Sequence, residues 1–169
     1  GRVLGFKEEC YCDVTLQQLR LPDAPLDLAA EGQMGEYLQA DWACFKYTVP
    51  VNGDILRMKF QEDLLSAESL GNLLVAKYNA SHLAGRFDML VPVPVSKKTM
   101  RRRGYNQSAV LSRHLAKHTG LLLVEEAVEK VKETPRQMSL GREERKANIA
   151  GAYKAPQPAL VYGRHILLV

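Results

Sequence analysis

The centre of the sequence reads DMLVPVPVSKKTMRRRGYNQS over residues 88–108. Its first part, Asp88–Val95, is a continuous apolar run without alternation, which is typical of a strand buried on both faces of a parallel sheet. A basic segment follows, and Tyr105–His118 then shows the apolar spacing of a helix that ends at Gly120. This order predicts an α/β fold with a basic loop at the carboxyl end of a buried strand.

Two further buried strands are predicted downstream, over Leu121–Val124 and His165–Val169. Residues 129–150 are highly charged and lack a clean period, which indicates a long excursion or an exposed hairpin. Since crossover connections join the strands, we expect the strand that ends at Pro94 and the strand that ends at Val169 to be parallel neighbours.

Upstream, the apolar spacing of Glu62–Tyr78 predicts an amphipathic helix. Cys44–Val49 carries aromatic and β-branched residues and is predicted to be a strand that Pro50 stops. Asn52-Gly53 is a turn signal, and Asp54 could cap a short helix over Ile55–Phe60. Residues 1–41 are rich in Gly, Pro, Asp and Glu and give little beyond a short amphipathic piece.

Composition bounds the class of protein. The chain has 169 residues, 46% of them hydrophobic, and a net charge of +4, so disorder is not expected. Three Cys are too few for a disulfide scaffold. No apolar run is long enough to cross a bilayer and no signal peptide is visible, so the sequence predicts a soluble, cytoplasmic protein without a membrane span.

The net charge hides an asymmetry. Residues 1–90 carry 8 Lys and Arg against 13 Asp and Glu, whereas residues 91–169 carry 15 against 6. A basic half indicates a surface for phosphates or nucleic acid, and the alternative is a solvated, solubilising face.

The strongest local feature is the basic segment, in which five cations fall within Lys97–Arg103. It lies between a strand end and a helix start, where backbone N–H groups favour anions and Arg offers bidentate donors to phosphate oxygens. The alternative is a solvated basic loop. The candidate phosphate or pyrophosphate ligands are Ser96, Lys97, Arg101, Arg103, Gly104, Asn106 and Gln107.

Other motifs carry less. Residues 136–148 form a second basic cluster, where charges of both signs favour a salt-bridged surface helix. Cys10 and Cys12 lack the second pair that a structural zinc site needs, and Cys44 is expected to be a small core residue. His114 and His118 have a spacing that can suit a metal, but without the Glu of H-E-x-x-H a packed or surface face is favoured.

Several of these elements occur together in collinear order over residues 42–169. They are Tyr47, Lys59-Phe60, Pro92-Val93-Pro94, Arg103-Gly104-Tyr105-Asn106-Gln107, Gln137 with Leu140, and Arg145 with Asn148. In this order they resemble the ComF/GntX family of phosphoribosyltransferase-like proteins, which is linked to DNA uptake in natural competence.

The resemblance implies a type I phosphoribosyltransferase-like domain over residues 42–169, with a parallel sheet and flanking helices. The intact form is expected to bind phosphoribosyl pyrophosphate with Mg²⁺, or nucleotide phosphates, and Lys59 belongs to the shared pattern. The excursion resembles a flexible lid. The lid candidates are Gln137, Arg142, Arg145 and Asn148.

Two departures from the family pattern shape the expectations. Family members begin with a four-Cys zinc module, of which residues 1–41 would keep a degenerate remnant, so zinc is not expected here. Their last strand continues into an Asp-Asp pair and a Thr-Gly loop that hold phosphoribosyl pyrophosphate, whereas this sequence stops at Val169. We therefore expect a domain incomplete at its C-terminus and inactive as this chain alone, whether or not the intact protein is a phosphoribosyltransferase.

Besides a scaffold that has lost both chemistries, two functions remain open at the level of sequence. One is a phosphoribosyltransferase-like protein of nucleotide metabolism, with electrostatic catalysis at the pyrophosphate if it is an enzyme. The other is a non-enzymatic accessory protein that holds single-stranded DNA alongside DNA-uptake proteins. Tyr105 and Tyr153 are the aromatic residues near basic ones that could stack on bases.

Overall fold

The computed structural model describes residues 43–61, 63–81, 83–135 and 141–169. The chain divides into two compact units, one that ends at Lys77 and one that runs from Tyr78 to Val169. The predictions for residues 1–41, including Cys10 and Cys12, lie outside the described residues. No helix in the described ranges is long and apolar enough to cross a membrane.

The described part of the first unit holds two helices, α1 (Val51–Phe60) and α2 (Leu64–Asn79), the second of which runs two residues past the unit's end. Helix α2 confirms the amphipathic helix predicted over Glu62–Tyr78. Arg57 links the two helices, because its Nε donates to the Ser66 hydroxyl oxygen at 3.1 Å and its guanidinium pairs with the carboxylate of Asp54, which is only 5% exposed.

Two predictions for the start of this unit are wrong. Residues 44–49 form bends and turns instead of a strand, and their hydrogen bonds are local, such as Thr48 N–H to the Lys46 carbonyl at 2.8 Å. Aromatic and β-branched residues favour a strand only where a neighbouring strand pairs with it. The helix begins at Val51, directly after Pro50, so Asn52 and Gly53 lie in its first turn, and Asp54 is not its cap.

Cys44 is half-buried in this unit. Burial raises the pKa of its thiol to about 11, although the nearby ammonium of Lys77 lowers it. The thiol is therefore protonated at neutral pH, and thiolate chemistry is disfavoured.

The second unit is built on a three-stranded parallel sheet with the order β2-β1-β5, where β1 is Met89–Val91, β2 is Leu122–Leu123 and β5 is Ile166–Leu168. Met89 is in register with both Leu122 and Ile166. The predicted parallel pairing of the first and last strands is confirmed, and so is the α/β class.

Two helices connect β1 to β2. The first, α3, spans Lys97–Arg103, and the second, α4, spans Gln107–Thr119 and contacts both strands. Helix α4 confirms the predicted helix, with Asn106 as its N-cap and Gly120 as its left-handed C-cap at φ 73°. The predicted basic loop is wrong in its conformation, because the five cations lie in α3.

The excursion is a two-stranded antiparallel ribbon with a helix between its strands. Strand β3 is Glu129–Lys130, α5 is Arg142–Ile149, and β4 is Tyr153–Lys154. Glu129 is in register with Lys154, and their side chains form an ion pair at 2.9 Å. The predicted hairpin and surface helix are both present, although residues 136–140 lie outside the described ranges.

The core of the unit surrounds β1. Met89 and Val91 point to the same face and pack with Val124 and Ala127, against which Leu160 and Ile166, among others, are partly buried. Leu90 points to the opposite face and is 0% exposed. The central strand is thus buried on both faces, as its continuous apolar run predicts.

Candidate functional site

The candidate site lies at the carboxyl edge of the parallel sheet. Beyond their assigned ends, β1 and β5 stay hydrogen-bonded, with Val169 N–H donating to the Val91 carbonyl at 3.0 Å and Val93 N–H donating to the Val169 carbonyl at 2.7 Å. The carboxyl ends of the two strands therefore lie side by side. In open α/β sheets, ligands bind beyond this edge.

Helix α3 begins at this edge. Ser96 is its N-cap and is buried, and its hydroxyl oxygen accepts a hydrogen bond from Thr99 N–H at 3.2 Å. This bond satisfies one of the backbone donors that a helix start leaves open. The structure thus gives the predicted phosphate ligand Ser96 a capping role.

Four of the five cations of α3 are exposed to solvent. They are Lys97, Lys98, Arg101 and Arg102. The fifth, Arg103, is half-buried, and its Nη1 donates to Gln107 Oε1 at 3.2 Å. The three arginines occupy the last turn of the helix, where positive charge complements the helix dipole. We call the four exposed side chains the basic face of α3.

The predicted residues Gly104 and Asn106 shape the turn between α3 and α4. Gly104 caps α3 in the left-handed region at φ 75°, a conformation that favours glycine. The Asn106 side chain accepts from Ser108 N–H at 3.1 Å and donates to the Val93 carbonyl at 3.0 Å. It therefore connects the start of α4 to the segment that follows β1. An Asn before a helix predicts the cap, but it does not predict the hydrogen bond to Val93.

Gln107 is buried, at 7% exposure, and its Nε2 has no hydrogen-bond partner among the described residues. An unpaired buried donor lowers the stability of the fold by on the order of 1–3 kcal/mol. Gln107 is thus a buried polar residue that its contact with Arg103 satisfies only in part. The aromatic candidates are also partly covered, since Tyr105 and Tyr153 are half-buried and Lys130 Nζ lies 5.5 Å from the Tyr153 ring centroid.

An acidic residue lies at the start of the basic helix. The carboxylate of Glu133, which follows β3, accepts from Lys98 N–H at 3.4 Å. Sequence analysis missed this residue, because 35 positions separate the two partners. The excursion therefore reaches the basic helix through a negative charge.

The remaining predicted residues are placed as follows. Asn148 Nδ2 donates to the Pro135 carbonyl at 3.2 Å, and Arg145 is exposed on α5. Gln137 and the side chain of Arg142 lie outside the described residues. Lys59 is exposed near the end of α1 in the first unit, whereas the site described above consists of residues of the second unit.

Several cations elsewhere are neutralised by carboxylates. Arg113 donates to both carboxylate oxygens of Glu125, at 2.6 and 2.7 Å, and these hydrogen bonds raise the pKa of its guanidinium.

Within the described ranges, no three His, Cys, Asp or Glu side chains come together to hold a metal ion.

The chain is similar to proteins with names that refer to competence or to DNA utilization. It is 30% identical over 110 residues to competence protein F of Haemophilus influenzae. These aligned residues cover 63% of this chain and 48% of that protein. It is 31% identical over 126 residues to DNA utilization protein YhgH of Escherichia coli, which covers 73% of this chain and 55% of that protein. The chain thus spans about half the length of these curated relatives. No family model and no solved structure matches it.

Proposed function

We propose that this chain belongs to the ComF family that its motifs resemble and that it acts in the uptake or utilization of DNA, the role that the names of its relatives indicate. In this function, the basic face of α3 contacts the phosphates of single-stranded DNA. The names of the two relatives support the biological role. The carrying observation is the concentration of four exposed cations on one seven-residue helix at the carboxyl edge of the sheet.

The physical basis is counterion release. Each Lys or Arg that neutralises a phosphate frees condensed cations from the nucleic acid, so clustered cations give binding that needs no particular base sequence. A helix that presents its cations outward suits an extended polyanion. A loop that closes around one small anion would turn its donors toward a common point.

The basic face differs in its charge balance from three other cations among the described residues. Arg57, Arg113 and Lys154 each form an ion pair with a carboxylate. Such pairs already satisfy the cation, so its contact with a phosphate would cost the existing interaction. The basic face is therefore favoured over Arg113 and Lys154 as the phosphate contact of the second unit.

The experiment compares single substitutions by fluorescence anisotropy with a labelled single-stranded oligonucleotide at low salt. Arg101→Ala removes an exposed cation of α3, and Arg113→Ala removes an ion-paired cation of α4 as the matched control. We expect Arg101→Ala and Arg102→Ala, both on the basic face, to weaken binding more than Arg113→Ala, with each lost charge-assisted contact costing on the order of 1.5–3 kcal/mol. Equal, small effects at all three positions would refute the proposal.

A second candidate ligand is phosphoribosyl pyrophosphate with Mg²⁺, in a phosphoribosyltransferase-type fold. It is favoured by the neighbouring carboxyl ends of β1 and β5, with Asn106 starting α4 at the same edge. In this function Arg101 and Arg103 would stabilise the charge that develops on departing pyrophosphate. In this function, Mg²⁺ would bind together with phosphoribosyl pyrophosphate, as its counterion.

One titration series separates the two candidates. Single-stranded DNA should bind without Mg²⁺ and weaken steeply as salt is added. Phosphoribosyl pyrophosphate should bind as a saturable small ligand, and EDTA should abolish that binding. Saturable, Mg²⁺-dependent binding of the sugar phosphate, with no detectable DNA binding, would favour the second candidate over the first.

A further inference from the structure

Tyr162, in the turn before β5, is the most exposed large hydrophobic side chain in the described part of the chain, at 88%. The two residues before it, Leu160 and Val161, are partly buried against the core of the second unit. Tyr162 N–H donates to the Pro158 carbonyl at 3.0 Å, and Arg164 N–H donates to the Val161 carbonyl at 3.3 Å. The backbone of the turn is therefore well anchored, while the ring of Tyr162 is open to solvent.

Two arginines lie at the same edge of the sheet as this turn. Strands β1 and β5 are parallel and in register, so the residues directly before the two strands lie side by side. Asp88 N–H donates to the His165 carbonyl at 2.8 Å, and His165 N–H donates to the Asp88 carboxylate at 2.7 Å. Arg86 lies two positions before Asp88, and Arg164 directly precedes His165. The amino edge of the sheet therefore carries a tyrosine and two arginines.

The charges at this edge favour an anionic ligand. Arg86 and Arg164 are exposed, and neither guanidinium forms an ion pair with a carboxylate of the described residues. The carboxylate of Asp88 also lies at this edge, but it accepts the His165 N–H, and its Oδ2 lies 3.6 Å from Nδ1 of the His165 ring. An exposed aromatic ring beside two such cations fits a ligand that combines phosphates with flat bases.

We propose that the ring of Tyr162 stacks on a base of single-stranded DNA while Arg86 and Arg164 contact the neighbouring phosphates. This contact rests on the proposed function and adds to it, because the basic face lies on the helix that begins at the opposite, carboxyl edge of the sheet. Stacking needs no particular base, since every base has a flat face. Tyr105 and Tyr153, which the sequence predicts for this role, are half-buried, whereas Tyr162 is open.

The test compares Tyr162→Ala with Tyr47→Ala by fluorescence anisotropy on a labelled single-stranded oligothymidine at low salt. Tyr47 supplies the matched control, because it is also exposed, at 62%, but belongs to the first unit. We expect Tyr162→Ala to weaken binding about fivefold or more, and Tyr47→Ala to leave the affinity unchanged. Tyr162→Phe should bind like the unmodified chain, since its ring can still stack. Circular dichroism checks that each variant is folded.

An oligonucleotide without bases separates stacking from charge. An abasic strand of the same length keeps the phosphates but offers nothing that can stack on Tyr162, so Tyr162→Ala and the unmodified chain should bind it equally. The double variant Arg86→Ala/Arg164→Ala should weaken binding of both strands. It should also reduce the magnitude of the slope of log K against log salt by about 1.4.

The outcomes separate this contact from the proposed function. Unchanged binding of oligothymidine by Tyr162→Ala, an equal loss on both strands, or unchanged affinity in Arg86→Ala/Arg164→Ala would overturn the contact at the amino edge. If Arg101→Ala weakened binding in the same series, the proposed function would stand without it. If the unmodified chain bound neither strand, both would be wrong.

Discussion

The carboxylate of Glu133 lies at the start of α3, the helix that carries the basic face. The Glu133 carboxylate accepts from Lys98 N–H and so occupies the end of the helix at which a phosphate would gain from the helix dipole. The contact is exposed and long, at 3.4 Å. A phosphate of the proposed DNA ligand can therefore compete with it.

Replacing this carboxylate should strengthen DNA binding. We expect Glu133→Gln to raise the affinity for single-stranded oligonucleotide by on the order of 0.3–1 kcal/mol, roughly two- to fivefold. Glu126→Gln makes the same change of charge at an exposed residue elsewhere in the unit and is the control. The measurement is anisotropy at low salt. An equal gain in the two variants would mean that only net charge matters and that Glu133 has no local role.

Residue identities predict where these side chains lie better than they predict which hydrogen bonds the side chains form. Ser96 and Asn106 were predicted as phosphate ligands, and both lie at the carboxyl edge of β1, yet their oxygens accept backbone N–H groups as helix caps. A cap and an anion ligand use the same hydroxyl and amide groups. Sequence alone cannot distinguish them, because the choice depends on whether the next residues become helical.

The carboxylate of Asp63 stabilises the start of helix α2. Asp63 Oδ1 accepts from Leu65 N–H at 3.0 Å, and Oδ2 accepts from the Ser66 hydroxyl at 2.7 Å. These hydrogen bonds, that of the Ser66 hydroxyl first among them, hold the pKa of Asp63 below its ordinary value. The ionised form is thus favoured in the folded chain.

This cap should give α2 a contribution to stability that depends on pH. A lowered folded-state pKa gives a contribution that is fully present above the unfolded value, about 3.9, and is lost as pH falls through the lower folded value. Asp63→Asn keeps an oxygen that can cap but cannot ionise. Below pH of about 4, its free energy of unfolding should fall less steeply than that of the unmodified chain.

Urea unfolding between neutral and strongly acidic pH measures this difference. The exposed carboxylate of Glu68, later in the same helix, supplies the control variant Glu68→Gln, which should keep the steeper acid loss. Identical pH profiles for Asp63→Asn and the unmodified chain would show that the cap hydrogen bonds do not favour the charged carboxylate.

The central strand was predictable from its burial, but an element that depends on a neighbour was not. The two other strands of the sheet are also predicted to be buried, and there the prediction is wrong, because Leu122 of β2 is 61% exposed and Leu168 of β5 is 54% exposed. The run at Met89–Val91 is a central strand because its apolar side chains are buried on both faces. The similar composition of residues 44–49 gave no strand, since within the described ranges no partner strand pairs with it. Lys97–Arg103 is helical because the Ser96 cap and the left-handed Gly104 fit a helix of seven residues. The five cations favoured the prediction of a loop, although Ser96 and Gly104 together are typical of the two ends of a helix.

At the scale of the whole molecule, the charge is distributed unevenly. Residues 91–169, all in the second unit, carry 15 Lys and Arg against 6 Asp and Glu. Two of these cations form ion pairs with carboxylates of the same unit, Arg113 with Glu125 and Lys154 with Glu129. The basic face of α3 places four others together on the helix that begins at the edge where the carboxyl ends of β1 and β5 meet.

The salt dependence of DNA binding should therefore depend on where a cation lies, and not only on how many there are. For single strands, the slope of log K against log salt changes by about 0.7 for each phosphate that a cation neutralises. The double variant Lys97→Ala/Arg101→Ala should reduce the magnitude of that slope by about 1.4. The control variant Arg113→Ala/Lys154→Ala removes the same charge from ion-paired positions and should leave the slope nearly unchanged, because those cations release few counterions from DNA. Anisotropy titrations over a series of salt concentrations give both slopes. If the two double variants reduced the slope equally, the binding would reflect the overall charge of the unit, and the assignment of the DNA contact to α3 would be wrong.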